Sequence, residues 1–196
     1  SHAIEWQSLD ESGHHFGFAF GDVDADGALE IVHTSFQSDS GYKDGLYFVH
    51  DWETKALEHR SGPVSPTNFT GVWRVRAANL DADPQLELLV TTGANYYQGA
   101  VYCVDGLTHE VQWRAAVDDG IGINALQVAD LEGDGTLEVV AGVHPEHTGA
   151  PGYFVYVFDG ATGALEWRSQ PLSGTWPYGS LLRVANVDDD GQLEIV

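Results

Sequence analysis

The sequence predicts an all-β fold, a β-propeller of four-stranded antiparallel blades with about four repeats present. Three observations predict it. One pattern recurs four times, as GDVDADGALEIV from Gly21, ANLDADPQLELLV from Ala78, ADLEGDGTLEVV from Ala129 and ANVDDDGQLEIV from Ala185. The first side-chain oxygens of these segments are spaced 57, 51 and 56 residues apart, the period of a four-stranded blade and longer than most helical repeats. Between them runs a second motif, an aromatic strand, a tight turn and an outer strand: LYFVHDWETKALEHRS from Leu46, AVYCVDGLTHEVQWRA from Ala100 and YFVYVFDGATGALEWRS from Tyr153. Alternating β-branched and aromatic residues bounded by DG and TG turns are strand and hairpin signals, and helical spacing of apolar residues is sustained nowhere.

Each repeat therefore reads as an inner strand, a strand after the acidic loop, an aromatic third strand and a Trp-bearing fourth. The repeats fall at about 14–61, 70–116, 122–170 and 178–196, a single propeller region over 1–196, with 1–8 as the outer strand of a composite or preceding blade. A propeller hides its sheet edges by closing the ring. By this count one blade lacks its third strand, so closure needs missing blades of a longer parent chain or a second copy. Trp6, Trp113 and Trp167 hold one equivalent position and read as packing between blades, with His59 as the substituted copy.

The acidic loops offer oxygen side chains at positions 1, 3 and 5, a backbone carbonyl at 7 and glutamate at 9. In the first these are Asp22, Asp24, Asp26, Ala28 and Glu30; in the second Asn79, Asp81, Asp83, Gln85 and Glu87. The third offers Asp130, Glu132, Asp134, Thr136 and Glu138, and the fourth Asn186, Asp188, Asp190, Gln192 and Glu194. A hard cation taking six to eight oxygens needs such crowding, and the expected cofactor is Ca2+, up to four ions. Acidic β-turns alone have similar composition, because Asp and Gly favour turns for backbone reasons; fourfold repetition of the spacing is what argues for a metal. An EF-hand would place glutamate at position 12 between helices, and magnesium prefers water and a stricter octahedron. Pro84 in place of the turn glycine and Glu132 in place of aspartate are expected to weaken the second and third sites.

Charge agrees with this. Thirty Asp and Glu against eight Lys and Arg give a formal net charge of -22, while 43% of residues are hydrophobic, too apolar for a disordered acidic tail. Such a balance excludes nucleic-acid binding, which needs clustered cations, and no apolar stretch reaches the length of a membrane span. The lone Cys103 cannot form an intramolecular disulfide and reads as a buried structural thiol.

DxDxDGxxE followed by a short apolar strand, repeated across the chain, resembles the FG-GAP or VCBS repeats of integrin α-subunit propellers and many secreted bacterial proteins. That resemblance implies a propeller of six to eight blades with calcium on the loop between first and second strands. Glu30, Glu87, Glu138 and Glu194 look more like the bacterial variants than the integrin ones, which tend to carry aspartate there. The DGATGALEW segment also resembles quinoprotein repeats, without reason to infer a quinone.

Strand alternation puts the calcium loops and the third-to-fourth turns on one face. The opposite face takes the longer loops, with His14, His15, Phe69, Trp73, Trp176 and Tyr178 before inner strands and Tyr42, Tyr96, Tyr97, His144 and His147 after second strands. Aromatics with polar neighbours form protein and sugar recognition surfaces, so a protein or glycan partner is expected on that face; packing of long loops over the blade tops is the plainer alternative. Arg76, Gln127 and Arg183 share one inner-strand position, where they could line a central channel or pair with nearby carboxylates. An HxxH pair on a loop is a weak zinc signal, and no GxSxG elbow or phosphate-binding glycine loop is present. The expected function is a non-catalytic, calcium-dependent module for adhesion, recognition or assembly, extracellular, at the cell surface or periplasmic. The alternative is a lectin or polysaccharide lyase on the same scaffold.

Overall fold

The computed structural model describes residues 3–8, 15–35, 45–66, 71–94, 97–118, 122–144, 152–172, 182–188 and 190–196. Fourteen strands and no helix are formed among them. The first sheet contains β1 (Phe18–Gly21), β2 (Glu30–Ser35), β3 (Leu46–Asp51) and β4 (Leu57–Arg60). The second contains β5 (Gly71–Ala78), β6 (Glu87–Ala94), β7 (Tyr97–Asp105) and β8 (Val111–Ala116). The third contains β9 (Gly122–Ala129), β10 (Glu138–His144), β11 (Phe154–Asp159) and β12 (Leu165–Arg168). A two-stranded sheet pairs β13 (Val184–Ala185) with β14 (Glu194–Ile195). Every pairing is antiparallel between chain neighbours.

The sheets pack face to face through three apolar layers. Val32, Val49, Val75, Val90 and Val104 join the first sheet to the second. Leu89, Cys103, Leu126, Val139 and Phe158 join the second to the third, and Ala125, Val140 and Leu182 join the third to the fourth. Strands buried on both faces explain why β3 and β10 read as nearly continuous apolar runs. Cys103 sits in this core as expected, its thiol 3.2 Å from Gln112 Oε1 and pushed well above the usual range by burial, with Glu87, Asp81 and Asp105 adding to the shift.

The third-to-fourth turns repeat one design. Asp51, Asp105 and Asp159 each accept hydrogen bonds from the backbone N–H and hydroxyl of the threonine three residues on. The next residue, Lys55, His109 or Gly163, then takes a left-handed conformation with φ of 64°, 59° and 69°. These turns lie beside the acidic loops, as strand alternation requires: Trp52 N–H donates to Leu29 O at 2.7 Å and Gly160 N–H to Leu137 O at 2.9 Å.

Trp113 docks on the turn of the following sheet. Its Nε1 donates to Gly160 O at 3.0 Å, and a Cβ on Gly163 would lie 2.5 Å from its ring. His59, paired with Val49 as Trp113 is with Cys103, meets the equivalent His109 instead, ring centroids 3.5 Å apart. Gly163→Ala is expected to lower stability by about 2 to 3 kcal/mol, combining a left-handed alanine with the clash against Trp113. Thermal unfolding would read this as a loss of roughly 5 to 10 °C; an unchanged melting temperature would refute the docking account.

Trp167 is 52% exposed, and no described turn lies against it as Gly160 and Gly163 lie against Trp113. Residues 3–8 pair with no described strand; Trp6 is half-buried, 5.3 Å from His50 and edge-on to it.

Candidate metal centres

Each acidic loop joins an inner strand to the strand beside it, and its glutamate opens that second strand. The glutamates are clamped alike. Glu30, Glu87, Glu138 and Glu194 each accept, through Oε2, the backbone N–H of the loop's second residue, Val23, Leu80, Leu131 and Val187, at 2.6, 2.5, 2.7 and 2.8 Å. The aspartates form a ladder, in which Asp24, Asp81 and Asp188 each accept an N–H from the residue two ahead, as do Asp26, Asp83, Asp134 and Asp190. Such bonds hold one oxygen of each carboxylate and leave the other to turn inward.

Three loops bring carboxylates together: Asp22, Asp24 and Glu30; Asp81, Asp83 and Glu87; Asp188, Asp190 and Glu194, with one oxygen from each within 4.8 Å of the others. These groups could hold metal ions. In two of them buried oxygens have no hydrogen bond, Asp22 Oδ1 and Glu87 Oε1. A buried unpaired acceptor is costly and calls for a partner, so the residues present fit a cation. Burial pushes the Glu30 carboxyl up to about 7, with Asp24, Glu58 and Asp26 adding repulsion against the Val23 hydrogen bond that lowers it; burial likewise raises Glu87.

The loops also differ. In the third, both oxygens of Asp130 are occupied, by the N–H groups of Gly133, Asp134 and Gly135, and the Thr136 hydroxyl donates to Asp134 at 2.5 Å. Its carboxylates cap their own turn and do not converge as the other three sets do. A cavity of about 350 Å³ separates this loop from the fourth, lined by Asp130, Glu132 and Gln192 among others. In the second loop the Asn79 amide donates to Asp83 O at 2.6 Å and Gln85 O at 3.3 Å. Asn79 therefore acts as a donor, and the Gln85 carbonyl expected to face a metal faces this amide. Pro84 explains part of the difference: loops one and three place Ala25 and Gly27, or Gly133 and Gly135, in left-handed conformations, which proline cannot adopt.

Of the residues expected on the opposite face, Trp73 is half-buried, with Nε1 donating to Gly93 O at 2.7 Å and its ring 5.3 Å from Phe16. His15 donates to Thr34 O at 3.0 Å, and its Nδ1 lies 3.1 Å from that of buried His33. His144 lies against Gly122. Tyr97 is placed by its backbone alone, opposite Ala94. His14, Tyr42, Phe69, Tyr96, His147, Trp176 and Tyr178 lie outside the described residues. Sequence reasoning missed the histidine cluster of His15, His33 and His50 and the His59–His109 pair; the only available signal was their alternation with aromatics.

Fold and site together define an all-β protein of repeated four-stranded antiparallel sheets with acidic loops able to hold metal ions. No family model matches the chain, and no curated protein matches it. Among solved structures it is similar to that of the V. cholerae biofilm matrix protein Bap1, at 18% identity and a TM-score of 0.44, over 86% of this chain and 30% of that one. The chain thus spans under a third of the matched protein's length.

Proposed function

We propose that this chain is a run of calcium-stapled blades of a β-propeller, of the FG-GAP or VCBS kind, acting as a non-catalytic extracellular module for adhesion, recognition or assembly. The observation that carries the metal reading is the pair of buried acceptors without partners, Asp22 Oδ1 and Glu87 Oε1, at the centres of converging carboxylates. Calcium would supply positive charge that lets these oxygens approach one another. The residues do the rest: the glutamate clamp fixes one arm, and the aspartate ladder curls the loop around it. Oxygen-only donors with room for several ligands favour calcium over magnesium. Three successive sheets of one design, each docked on the next, support the propeller reading. Exposed acidic loops of this kind fill at the millimolar calcium found outside cells.

Calorimetry tests the reading directly. Calcium is expected to bind at least three sites more tightly than magnesium, and Glu87→Gln to remove or weaken one of them by roughly tenfold or more. Absence of calcium binding would overturn the metal reading, and turnover of an acidic polysaccharide would overturn the non-catalytic one.

A further inference from the structure

The fourth strands of the first three sheets break register at the same place. Where β3 pairs with β4, Val49 opposes His59 and His50 opposes Leu57, which leaves Glu58 as an extra residue between them. Gln112 is left over in the same way between Val111 and Trp113, which oppose Val104 and Cys103. So is Glu166, between Leu165 and Trp167, which oppose Phe158 and Val157. A bulge re-aims one side chain while the strand on either side keeps its pairing. In the second sheet the aim is explicit. Gln112 Nε2 donates to Asp81 Oδ2 at 3.3 Å, and Asp81 is one of the three carboxylates that converge in that loop. The other oxygen, Oδ1, already accepts the Asp83 N–H at 2.8 Å. The bulge residue therefore touches the oxygen that this backbone bond leaves for a metal.

Gln112 is itself held by a buried group. The Cys103 thiol donates to Gln112 Oε1 at 3.2 Å, so the amide turns Nε2, and not Oε1, toward the loop. The other two sheets carry a different pair at these two positions, Val49 with Glu58 and Val157 with Glu166. Valine offers no donor, and an ionised carboxylate needs none to fix its orientation, because both its oxygens accept. The donor and the bulge residue thus change together from repeat to repeat. An ionised Glu58 cannot bond Asp24 as Gln112 bonds Asp81: two carboxylates repel unless a cation or its bound water lies between them. In keeping with that placement, burial first, then the charges of Asp24, Asp51 and Asp26, pushes the Glu58 carboxyl up.

We propose that the bulge residue of the fourth strand is a further member of the metal site beside it: Glu58 adds a carboxylate to the first site from outside its loop, and Gln112, held by Cys103, positions Asp81 in the second. The first site then carries five carboxylates, Asp22, Asp24, Asp26, Glu30 and Glu58, and the second only three, Asp81, Asp83 and Glu87. Calcium affinity follows the charge of the ligand set and the rigidity of the site, so the fourth strand ranks the first site above the second independently of the loops. The inference rests on the reading of the acidic loops as calcium sites.

The test is calorimetric titration of the whole chain, freed of metal, with calcium alone. Glu58→Gln is expected to weaken one site roughly 3- to 10-fold, the effect of one exposed unit charge beside a divalent ion, and the loss is expected to shrink at high salt. Gln112→Glu is expected to tighten one site by a similar factor, a gain that misfolding cannot mimic. That gain is expected to vanish when Glu87→Gln disables the second loop. Cys103→Val is expected to weaken the second site roughly threefold by freeing the amide, and adding Gln112→Glu, which reproduces the pair of the first sheet, is expected to restore binding. Unchanged affinities in Glu58→Gln and Gln112→Glu, weaker binding in Gln112→Glu, or a gain that survives Glu87→Gln would overturn the proposal. A parent that binds calcium while its variants match it counts against this inference alone; a parent that takes up no calcium overturns the metal reading and this inference with it.

Discussion

Excess chelator is expected to lower the melting temperature of the calcium-saturated protein by roughly 15 to 30 °C. A ligand present at a hundred times its dissociation constant stabilises the folded state by about 2.7 kcal/mol per site. Three converging carboxylate groups together reach about 8 kcal/mol on that basis, and a chain of this size shifts by about 2 to 4 °C per kcal/mol. The molecular reason is visible in the first and second loops. With no cation, Glu30 and Glu87 are buried carboxylates whose free oxygens face other acids, which is why both are pushed up in pKa. The sign follows: with chelator present, these groups favour the fold while protonated and oppose it as pH rises through about 7 for Glu30. A bound calcium ion would remove that penalty and displace the protons, so its affinity is expected to rise over the same window. Differential scanning with and without chelator measures the effect, and coincident transitions would contradict the stapling account. The third loop, whose Asp130 is satisfied by its own N–H groups, is expected to contribute least.

At fixed calcium, acid is expected to destabilise the protein strongly between pH 6.5 and about 4, through buried histidines. His33 is held down to about 4 first by burial, then by His15 and His50; His109 is held at about 4 first by burial, then by His59, against a small opposing pull from Asp105. Both are bases with depressed folded pKa values, so each is bound neutral in the fold. The unfolded chain takes up protons first, and stability present above pH 6.5 is lost as pH falls toward 4. For His33, whose ring stacks between Phe48 and His50 at 5.0 and 5.3 Å, the loss is roughly 3 kcal/mol. His109 loses less, being partly exposed and screened. Its ring faces His59 at 3.5 Å and Tyr47 at 6.1 Å across the joint between first and second sheets, so protonating both imidazoles sets like charges face to face. The double variant His59→Trp/His109→Gly installs at this joint the pair that Trp113 and Gly163 make at the next. Denaturant unfolding across the pH range should show a shallower acid loss for it than for the parent. An identical pH profile would eliminate the His59–His109 contribution.

Much of the architecture was legible before any coordinate. Spacing alone placed the four acidic loops, since a one-residue shift would flip each following strand from core to solvent. The DG and TG turns were equally plain, because an aspartate that caps a threonine N–H and a left-handed residue after it are local chemistry. Local chemistry also put the glutamates at position 9, although their clamp onto the second residue's N–H was not foreseen. Less legible was which carboxylates would turn inward. Asp22 and Asp130 occupy the same loop position, yet Asp22 spends one oxygen on Gly27 N–H and keeps the other buried and unpaired, while Asp130 spends both. Backbone N–H groups compete with a metal for the same lone pairs, and the outcome depends on loop curvature rather than on residue type.

The sequence by itself determined the all-β repeat, the order of strands within each sheet, the burial of Cys103 and the residues from which metal sites could be built. These are properties of periodicity and turn chemistry, which act over a few neighbouring residues. Only the tertiary structure decided that Trp113 is docked while Trp167 is exposed and that His59 meets His109. Each of these depends on what a different sheet presents across an interface, and such contacts join residues about 50 or more positions apart, beyond the reach of any local pattern.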